Sequence, residues 1–206
     1  MMPYHKIQTV FDRDPETKHK TLIYGQWATE AFAYLHGLTW TYTEKVDGTN
    51  IRIGMDDDGA THVGGRTDKA QIPNFLLDRL AQITPKLSDV FDGEAVVYGE
   101  GYGAKIQKGG GNYKPDGVDF VVFDVCVGGL FLRRADVVDV AGKLGLMAVP
   151  IVGSGTLSHA ASMCRDGFQS AWGDFPAEGL VMRPQTELHD RRGARVIAKV
   201  KCKDFY

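Results

Sequence analysis

TEKVDGTNIRI, residues 43–53, places a lysine, an aspartate, a glycine and an asparagine close together between two strand-like runs. The runs are WTYTE, which ends at Glu44, and NIRIGM, which starts at Asn50. An Asp-Gly pair between two strands is typical of a tight turn, so the local pattern predicts a β-hairpin. A hairpin does not explain why a lysine directly precedes the turn, and the rest of the chain has to supply that reason.

Length and composition fit one domain, residues 1–206, with 43% hydrophobic and 24% charged residues. Apolar spacing and turn residues predict helices at 28–36, 74–83, 135–144 and 156–165, and strands at 38–44, 50–55, 93–98, 118–125, 178–183 and 195–201. Asn74 is the predicted N-cap of its helix, and the Gly-rich run 99–117 is a predicted surface loop. The order lacks regular βαβ alternation, which favours an α+β fold of mainly antiparallel sheets flanked by helices.

Several classes of protein are disfavoured. No apolar run is long enough to span a bilayer, and the N-terminal residues lack the pattern of a signal peptide. The cysteines, Cys126, Cys164 and Cys202, are far apart and form no CxxC pair, and the six histidines are scattered. This spacing argues against a disulfide framework and a zinc site, and it favours a reducing, cytoplasmic compartment.

Basic residues are concentrated near the end of the chain, although the net charge is −2. RRGARVIAKVKCK (191–203) contains six lysines and arginines and no acidic residue. A local basic stripe of this kind can hold phosphates even though the net charge of the whole chain is close to zero. Taken alone, it is equally typical of a solvated charged surface.

Six segments of the chain occur in an order that is known from a family of enzymes. They are KVDGTN (45–50), GGRT (64–67), FDGEAVVYGEGYG (91–103), VDFVVFDV (118–125), AEGLVMRP (177–184) and AKVKCKDF (198–205). Together they resemble the motif series of the covalent nucleotidyltransferases, namely ATP-dependent DNA ligases, RNA ligases and mRNA capping enzymes. DNA ligases usually have arginine where this chain has Asn50, so the resemblance is closest to the RNA ligase 2 family. It implies an ATP-grasp-like adenylyltransferase fold.

The resemblance implies roles for charged residues of the first, fifth and last motifs. Lys45 would attack ATP and become lysyl-AMP. Lys199 and Lys201 alternate along one strand and so share a side, where they would hold the triphosphate and help Lys45 to lose its proton. Glu178 would contact Mg²⁺, or Mn²⁺ in its place, because carboxylate oxygens suit these ions. Asp47 would act in strand joining, although an Asp before Gly is also an ordinary turn residue.

The remaining matches are implied nucleotide contacts. The aromatic ring of Phe123 would stack on adenine, although a phenylalanine among valines is more often plain core. Glu94 would hold the ribose hydroxyls, and Glu44 or a nearby backbone group would contact adenine. The implied phosphate contacts are Asn50, Arg66 and Arg52, of which Arg52 is also explained as a solvated strand residue.

The function that the resemblance implies is an ATP-dependent RNA ligase that seals nicks in duplex RNA or RNA/DNA hybrids. We expect a monomer that acts in the cytoplasm and needs no membrane, and a compact ligase of this kind suits a phage or a small prokaryotic repair system. The chain ends at Tyr206, directly after the last motif, so we expect an adenylation domain without the C-terminal OB-fold or helical domain of its relatives. The alternatives are a minimal ATP-dependent DNA ligase, a capping-type guanylyltransferase that uses GTP, and a degenerate domain that only binds nucleic acid.

Overall fold

The computed structural model describes residues 1–206 as two compact units. Unit 1 comprises Met1–Tyr4 and Asp47–Val149, and unit 2 comprises His5–Val46 and Pro150–Tyr206. No change in composition marks the points where the chain passes from one unit to the other, and one of these points falls inside KVDGTN.

The secondary structure consists of thirteen strands, five α-helices and three short 3₁₀ turns. The strands are β1 (Gln8–Thr9), β2 (Phe11–Arg13), β3 (Leu22–Trp27), β4 (Trp40–Glu44), β5 (Thr49–Met55), β6 (Thr61–Gly65), β7 (Ala95–Gly103), β8 (Val118–Val127), β9 (Leu130–Phe131), β10 (Met147–Ala148), β11 (Ile151–Gly155), β12 (Gly179–Pro184) and β13 (Ala198–Lys201). The helices are α1 (Glu30–Leu35), α2 (Asn74–Ala81), α3 (Gly110–Tyr113), α4 (Arg134–Lys143) and α5 (Leu157–Asp166). None of the helices combines the length and the apolar composition needed to cross a membrane.

Unit 2 is built on a five-stranded sheet in the order β1-β13-β12-β4-β11. Its pairs are antiparallel except for β1 with β13. Trp40, Tyr42, Leu180 and Val200 belong to its hydrophobic core, together with buried residues of α5 such as Leu157. Because side chains alternate along a strand, the residues between these core positions take the other side of the sheet.

Unit 1 is built on a six-stranded sheet in the order β10-β8-β7-β5-β6, with β9 added beside β8. The long pairs of this sheet are antiparallel. Ile51, Ile53 and Val97 pack into one core with Leu76 and Leu80 of α2. The mainly antiparallel, helix-flanked architecture that the sequence predicts is therefore confirmed.

The predicted hairpin at residues 38–55 is wrong. Strand β4 pairs with β11 and β12, whereas β5 pairs with β6 and β7 in the other sheet. The backbone of the connecting turn bonds elsewhere: Lys45 N donates to Gly179 O at 2.9 Å, and Asp47 N contacts the Tyr113 hydroxyl at 3.4 Å. The Asp-Gly turn therefore connects strands of two different sheets and does not close a hairpin.

Two smaller predictions also differ from the structure. Helix α2 is capped by Pro73, which has no side-chain cap bond, and Asn74 is its first helical residue. The proline has the extended backbone that an N-cap requires, so it takes the position predicted for Asn74. The Gly-rich run 99–117 is not all loop, because β7 continues to Gly103 and α3 follows at 110–113.

The hydrogen bonds that the Asp119 carboxylate accepts in unit 1 lead us to expect a loss of stability in acid. Burial alone raises the pKa of Asp119, but hydrogen bonds from the Phe120 backbone, Lys114 and Arg79 outweigh it, and the pKa falls below its usual range. An aspartate with a lowered folded pKa stabilises the fold above its unfolded pKa of about 3.9, and this stabilisation is lost as the pH falls through the folded value. Asp119→Asn should therefore cost about 1–3 kcal/mol at pH 7 and much less at pH 3.

Urea unfolding at the two pH values, followed by circular dichroism, checks this. Asp174→Asn, which changes an exposed aspartate of unit 2, is the control. An equal loss of stability at pH 7 and pH 3 in Asp119→Asn would contradict the ion-pair explanation.

Candidate active site

Lys45 follows the last residue of β4 and lies on the side of the sheet opposite the core. Its backbone N–H extends the pairing with β12 by donating to Gly179 O. Its side chain is 21% exposed, and Nζ lies 2.7 Å from Oε2 of Glu178. The predicted nucleophile thus lies just beyond the end of an interior strand, and its side chain is partly exposed.

Glu178 joins two lysines. Its Oε1 lies 2.6 Å from Nζ of Lys201, and its Oε2 contacts Lys45. The carboxylate is only 11% exposed, so these contacts are shielded from solvent and are stronger than surface ion pairs. The three groups predicted for the nucleophile, the metal ligand and one phosphate contact are therefore in direct contact within unit 2.

The end of β13 positions Lys199 and Lys201. Ala198 and Val200 are buried while the two lysines are partly exposed, so the lysines share a side, as predicted. Buried Asp204 accepts a hydrogen bond from Lys201 N at 3.0 Å and pairs with Arg13 at 3.2 Å. This network fixes the point where the strand ends.

Gly179 explains how Glu178 reaches β13. A Cβ at this position would lie 2.1 Å from Val200 O and 2.7 Å from Lys201 Cα. Backbone hydrogen bonds continue past the glycine, since Cys202 N donates to Glu178 O at 2.9 Å. Only glycine permits this approach of the strands, and the motif EGLVMR supplies it directly after the glutamate.

Glu44 lies on the core side of β4 and is 1% exposed. Its Oε1 accepts a hydrogen bond from Ser170 Oγ at 2.5 Å, and its Oε2 accepts one from Ala171 N at 2.8 Å. Burial raises the pKa of Glu44, and these two bonds partly oppose the increase. The adenine contact implied for this residue stays a prediction, while the structure shows its carboxylate holding the 170–171 turn.

In unit 1, Asn50 pairs with Glu100 across β5 and β7. Both residues lie on the side of the sheet opposite Ile51 and its core neighbours. Asn50 Oδ1 is buried without a hydrogen-bond partner, and a native buried polar atom of this kind calls for an explanation such as a bound ligand. Glu100 lies beside the DG turn, since a Cβ on Gly48 would be 2.7 Å from its Cγ.

Glu94 precedes β7, whereas Glu100 lies within the strand. Glu94 is exposed and directly precedes the strand, near Asp57, whose carboxylate accepts its backbone N–H at 3.1 Å. Six residues of extended chain separate the two glutamates by about 20 Å. Glu100, which the sequence reasoning did not select, is therefore the glutamate near Asn50, and the signal for it was the second GE pair in GEAVVYGE.

Phe123 lies at a bulge in β8. Tyr98 pairs with Asp124 while Gly99 pairs with Val122, so Phe123 is left without an opposite residue. Phe123 is half-buried, in contrast to the buried valines beside it. Bulges redirect side chains and are frequent beside functional sites, which favours the ring-stacking role over the alternative of plain core.

Of the two implied arginines, Arg66 is exposed directly after β6, and Arg52 is 1% exposed. The Arg52 guanidinium pairs with Asp68 and donates to Met1 O at 3.2 Å. The solvated-strand explanation for Arg52 is therefore wrong. The phosphate contact of Arg52 stays a prediction. It requires the guanidinium to leave Asp68 or the Met1 carbonyl and bind a phosphate instead.

Asp47 is linked to the Gly-rich run of unit 1. Its Oδ2 accepts a hydrogen bond from Gly109 N at 3.3 Å, and a Cβ on Gly109 would lie 2.9 Å from this oxygen. The Asp47 carboxylate is thus in contact with a glycine backbone that approaches it closely. Its role in strand joining is a prediction that these contacts leave open.

Comparison with known families decides the classification, because the family model described as RNA ligase matches residues 38–201. The chain belongs to the RNA ligase family. The matched range includes every motif from TEKVDGTN to AKVK. No curated protein matches the chain.

Solved structures show the same fold. Naegleria gruberi RNA ligase with PPi superimposes with a TM-score of 0.66 at 18% identity, covering 98% of this chain and 56% of that one. A mutant of the same ligase with ATP and Mn gives a TM-score of 0.68, also at 18% identity, with 97% and 56% covered. This chain therefore spans a little over half of those ligases.

The residues fit the metal that the resemblance implies in one specific way. The described residues contain no cluster of three or more metal-ligating side chains, so a cage made only of protein ligands is absent. Magnesium commonly binds through one or two carboxylates together with substrate phosphates. Glu178, between Lys45 and Lys201, is the carboxylate that fits this mode.

Proposed function

We propose that this member of the RNA ligase family is an ATP-dependent RNA ligase whose Lys45 becomes covalently adenylated. The observation that carries the proposal is the contact of Glu178 with both Lys45 and Lys201. A nucleophilic amine, a carboxylate and a second cation within hydrogen-bonding distance are the groups that attack on a phosphate requires.

In the first step, Nζ of Lys45 attacks the α-phosphorus of ATP. A P–N bond forms, the bond between the α-phosphorus and the bridging oxygen breaks, pyrophosphate leaves, and Nζ gives up a proton to solvent. An ammonium has no lone pair, so Nζ must first give up one proton to solvent, and the neutral amine then attacks. Bound magnesium would neutralise charge on the phosphate oxygens, and Lys199 and Lys201 would bind the pyrophosphate portion.

Residues of unit 1 would bind the nucleoside. Phe123 at the bulge offers a ring for stacking on the base, and Asn50 has a buried oxygen that lacks a donor. The position of Glu100 opposite Asn50 favours Glu100 over Glu94 as the acceptor for ribose hydroxyls.

In the later steps, AMP would pass from Lys45 to a 5′-phosphate at a nick in duplex RNA or an RNA/DNA hybrid. The 3′-hydroxyl would then attack the 5′-phosphorus and release AMP. A ligase of DNA nicks would use the same chemistry, and the 2′-hydroxyl is the group that distinguishes the two substrates. Family membership favours RNA.

Incubation of the purified chain with α-labelled ATP and magnesium, followed by denaturing electrophoresis, tests the first step. We expect a labelled band at the mass of the protein, and no band with labelled GTP. Nicked RNA, hybrid and DNA duplexes are then offered to the labelled protein. A band with GTP alone would favour a capping-type enzyme, and faster sealing of DNA would favour the DNA ligase alternative.

Glu100 and Glu94 give a matched pair for nucleoside recognition. Loss of a charged hydrogen-bond partner of a bound hydroxyl costs about 1.5–3 kcal/mol, which corresponds to about 10- to 150-fold. We therefore expect Glu100→Ala to raise the KM for ATP by this factor, and Glu94→Ala to leave it within about twofold. Initial rates of adduct formation over a range of ATP concentrations measure both. The reverse ranking would restore Glu94 as the ribose contact.

A further inference from the structure

The segment Met1–Tyr4 lies across one side of the unit 1 sheet. Arg52 donates a hydrogen bond to the carbonyl of the first residue at 3.2 Å, and the Tyr98 hydroxyl donates to that of the second at 2.9 Å. The Tyr4 hydroxyl donates to Oδ2 of Asp124 at 2.8 Å. Asp124 is fully buried, so the segment is fixed at three points on the side of the sheet that also carries Asn50 and Glu100.

Tyr4 is the only residue of the segment that is buried, with 7% of its surface exposed. The centroid of its ring lies 5.0 Å from that of Phe123 at an interplanar angle of 68°. It also lies 5.0 Å from Tyr98 and 6.2 Å from Phe131. These distances are within the range of favourable aromatic pairs.

Phe123 depends on such packing more than an ordinary strand residue does. In a regular ladder the residue opposite packs beside a side chain, but the bulge leaves Phe123 without such a neighbour. The structure provides Tyr4 as an aromatic neighbour, and Tyr4 itself is held by Asp124, the residue that follows Phe123.

We propose that Tyr4 is a positioning residue for nucleotide binding, which acts by fixing the ring of Phe123 in the orientation that stacks on the base. This inference rests on the proposed function, because it takes Phe123 as the stacking residue. It assigns a role to a residue that lies outside the range 38–201 matched by the family model. Tyr4 touches neither ATP nor Lys45 in this account, so it affects affinity and leaves the chemical step unchanged.

The test uses the full chain carrying Lys45→Ala, in which ATP affinity is measured by calorimetry without covalent chemistry. Loss of an aromatic pair corresponds to about two- to tenfold in affinity. We expect Tyr4→Ala and Tyr4→Leu to raise the Kd for ATP by this factor, while Tyr4→Phe, which keeps the ring, restores most of it. Tyr34→Ala, which removes a tyrosine that is 90% exposed, is the control. In the chain with Lys45 intact, kcat for adduct formation should change by less than about twofold.

A double-mutant cycle with Phe123→Ala separates positioning from general stabilisation. If Tyr4 acts through Phe123, Tyr4→Ala should have no further effect on the Kd once Phe123 is alanine. Additive effects, a fall in kcat, or an unchanged Kd in both Tyr4→Ala and Tyr4→Leu would overturn the inference. ATP binding without adduct formation in the chain with Lys45 intact would refute the proposed function alone, and absence of ATP binding in that chain would refute both.

Discussion

Lys45→Ala is expected to abolish formation of the protein–AMP adduct, with the rate falling at least about 10,000-fold, to background. The Lys45 amine is the proposed source of the nitrogen in the P–N bond, and alanine leaves no nucleophile at that position. Lys45→Arg should fail equally, because a guanidinium stays protonated at any pH that the protein tolerates. Labelling with α-labelled ATP under saturating conditions measures both variants.

The matched control for this prediction is Lys143→Ala, which removes an exposed lysine that pairs with Asp139 at 2.8 Å on α4. It should label at the rate of the unchanged protein. Adduct formation in Lys45→Ala above one-tenth of the normal rate would contradict the assignment of the nucleophile.

Glu178→Ala and Glu178→Gln are expected to have the second-largest effect, a fall of about 100- to 1,000-fold in the rate of adduct formation. Either substitution leaves Lys45 and Lys201 without the carboxylate between them and removes the negative charge that fits magnesium. The glutamine variant keeps the size of the side chain, so its loss would be due to charge. Single-turnover rates at several magnesium concentrations measure the effect.

A second outcome distinguishes two roles for Glu178. If the carboxylate only restrains the Lys45 ammonium, its removal frees the amine, and the rate should rise. A rise would therefore contradict the proposed metal role. The control is Glu187→Ala, which breaks another ion pair of unit 2, the one with Arg195 at 2.5 Å, and should leave the rate unchanged.

The sequence predicted the parts of the site that depend on local alternation. Lys199 and Lys201 share a side of the sheet because they are two residues apart on a strand. The alternate residues, Ala198 and Val200, are buried on the other side. The antiparallel, helix-flanked architecture also follows from the run of short strands and helices. Local pattern is sufficient here because burial alternates regularly along β13.

Long-range pairing was beyond the local pattern. The Asp-Gly turn predicted a hairpin, but the choice between β5 and β12 as the partner of β4 depends on strands more than 100 residues away. The bulge at Phe123 likewise arises from the register between β7 and β8. Gly99 permits it, since a Cβ there would lie 2.2 Å from Val121 O.

The glutamate of the third motif shows a different kind of failure. FDGEAVVYGEGYG contains two GE pairs, and the first follows a turn signal that favoured Glu94. Only the register of β7 against β5 shows that Glu100 is opposite Asn50. Tyr4 could not be found from the sequence, because its contacts are more than 90 positions away.

Lys45, and not Lys199 or Lys201, is expected to carry AMP. Digestion of the chain after incubation with ATP and magnesium, followed by tandem mass spectrometry at neutral pH, tests it directly, since phosphoramidates are labile in acid. We expect one AMP on the peptide that contains Lys45 and none on the peptides from β13. An adduct on Lys199 or Lys201, or none in a chain that binds ATP and was purified without AMP, would contradict it.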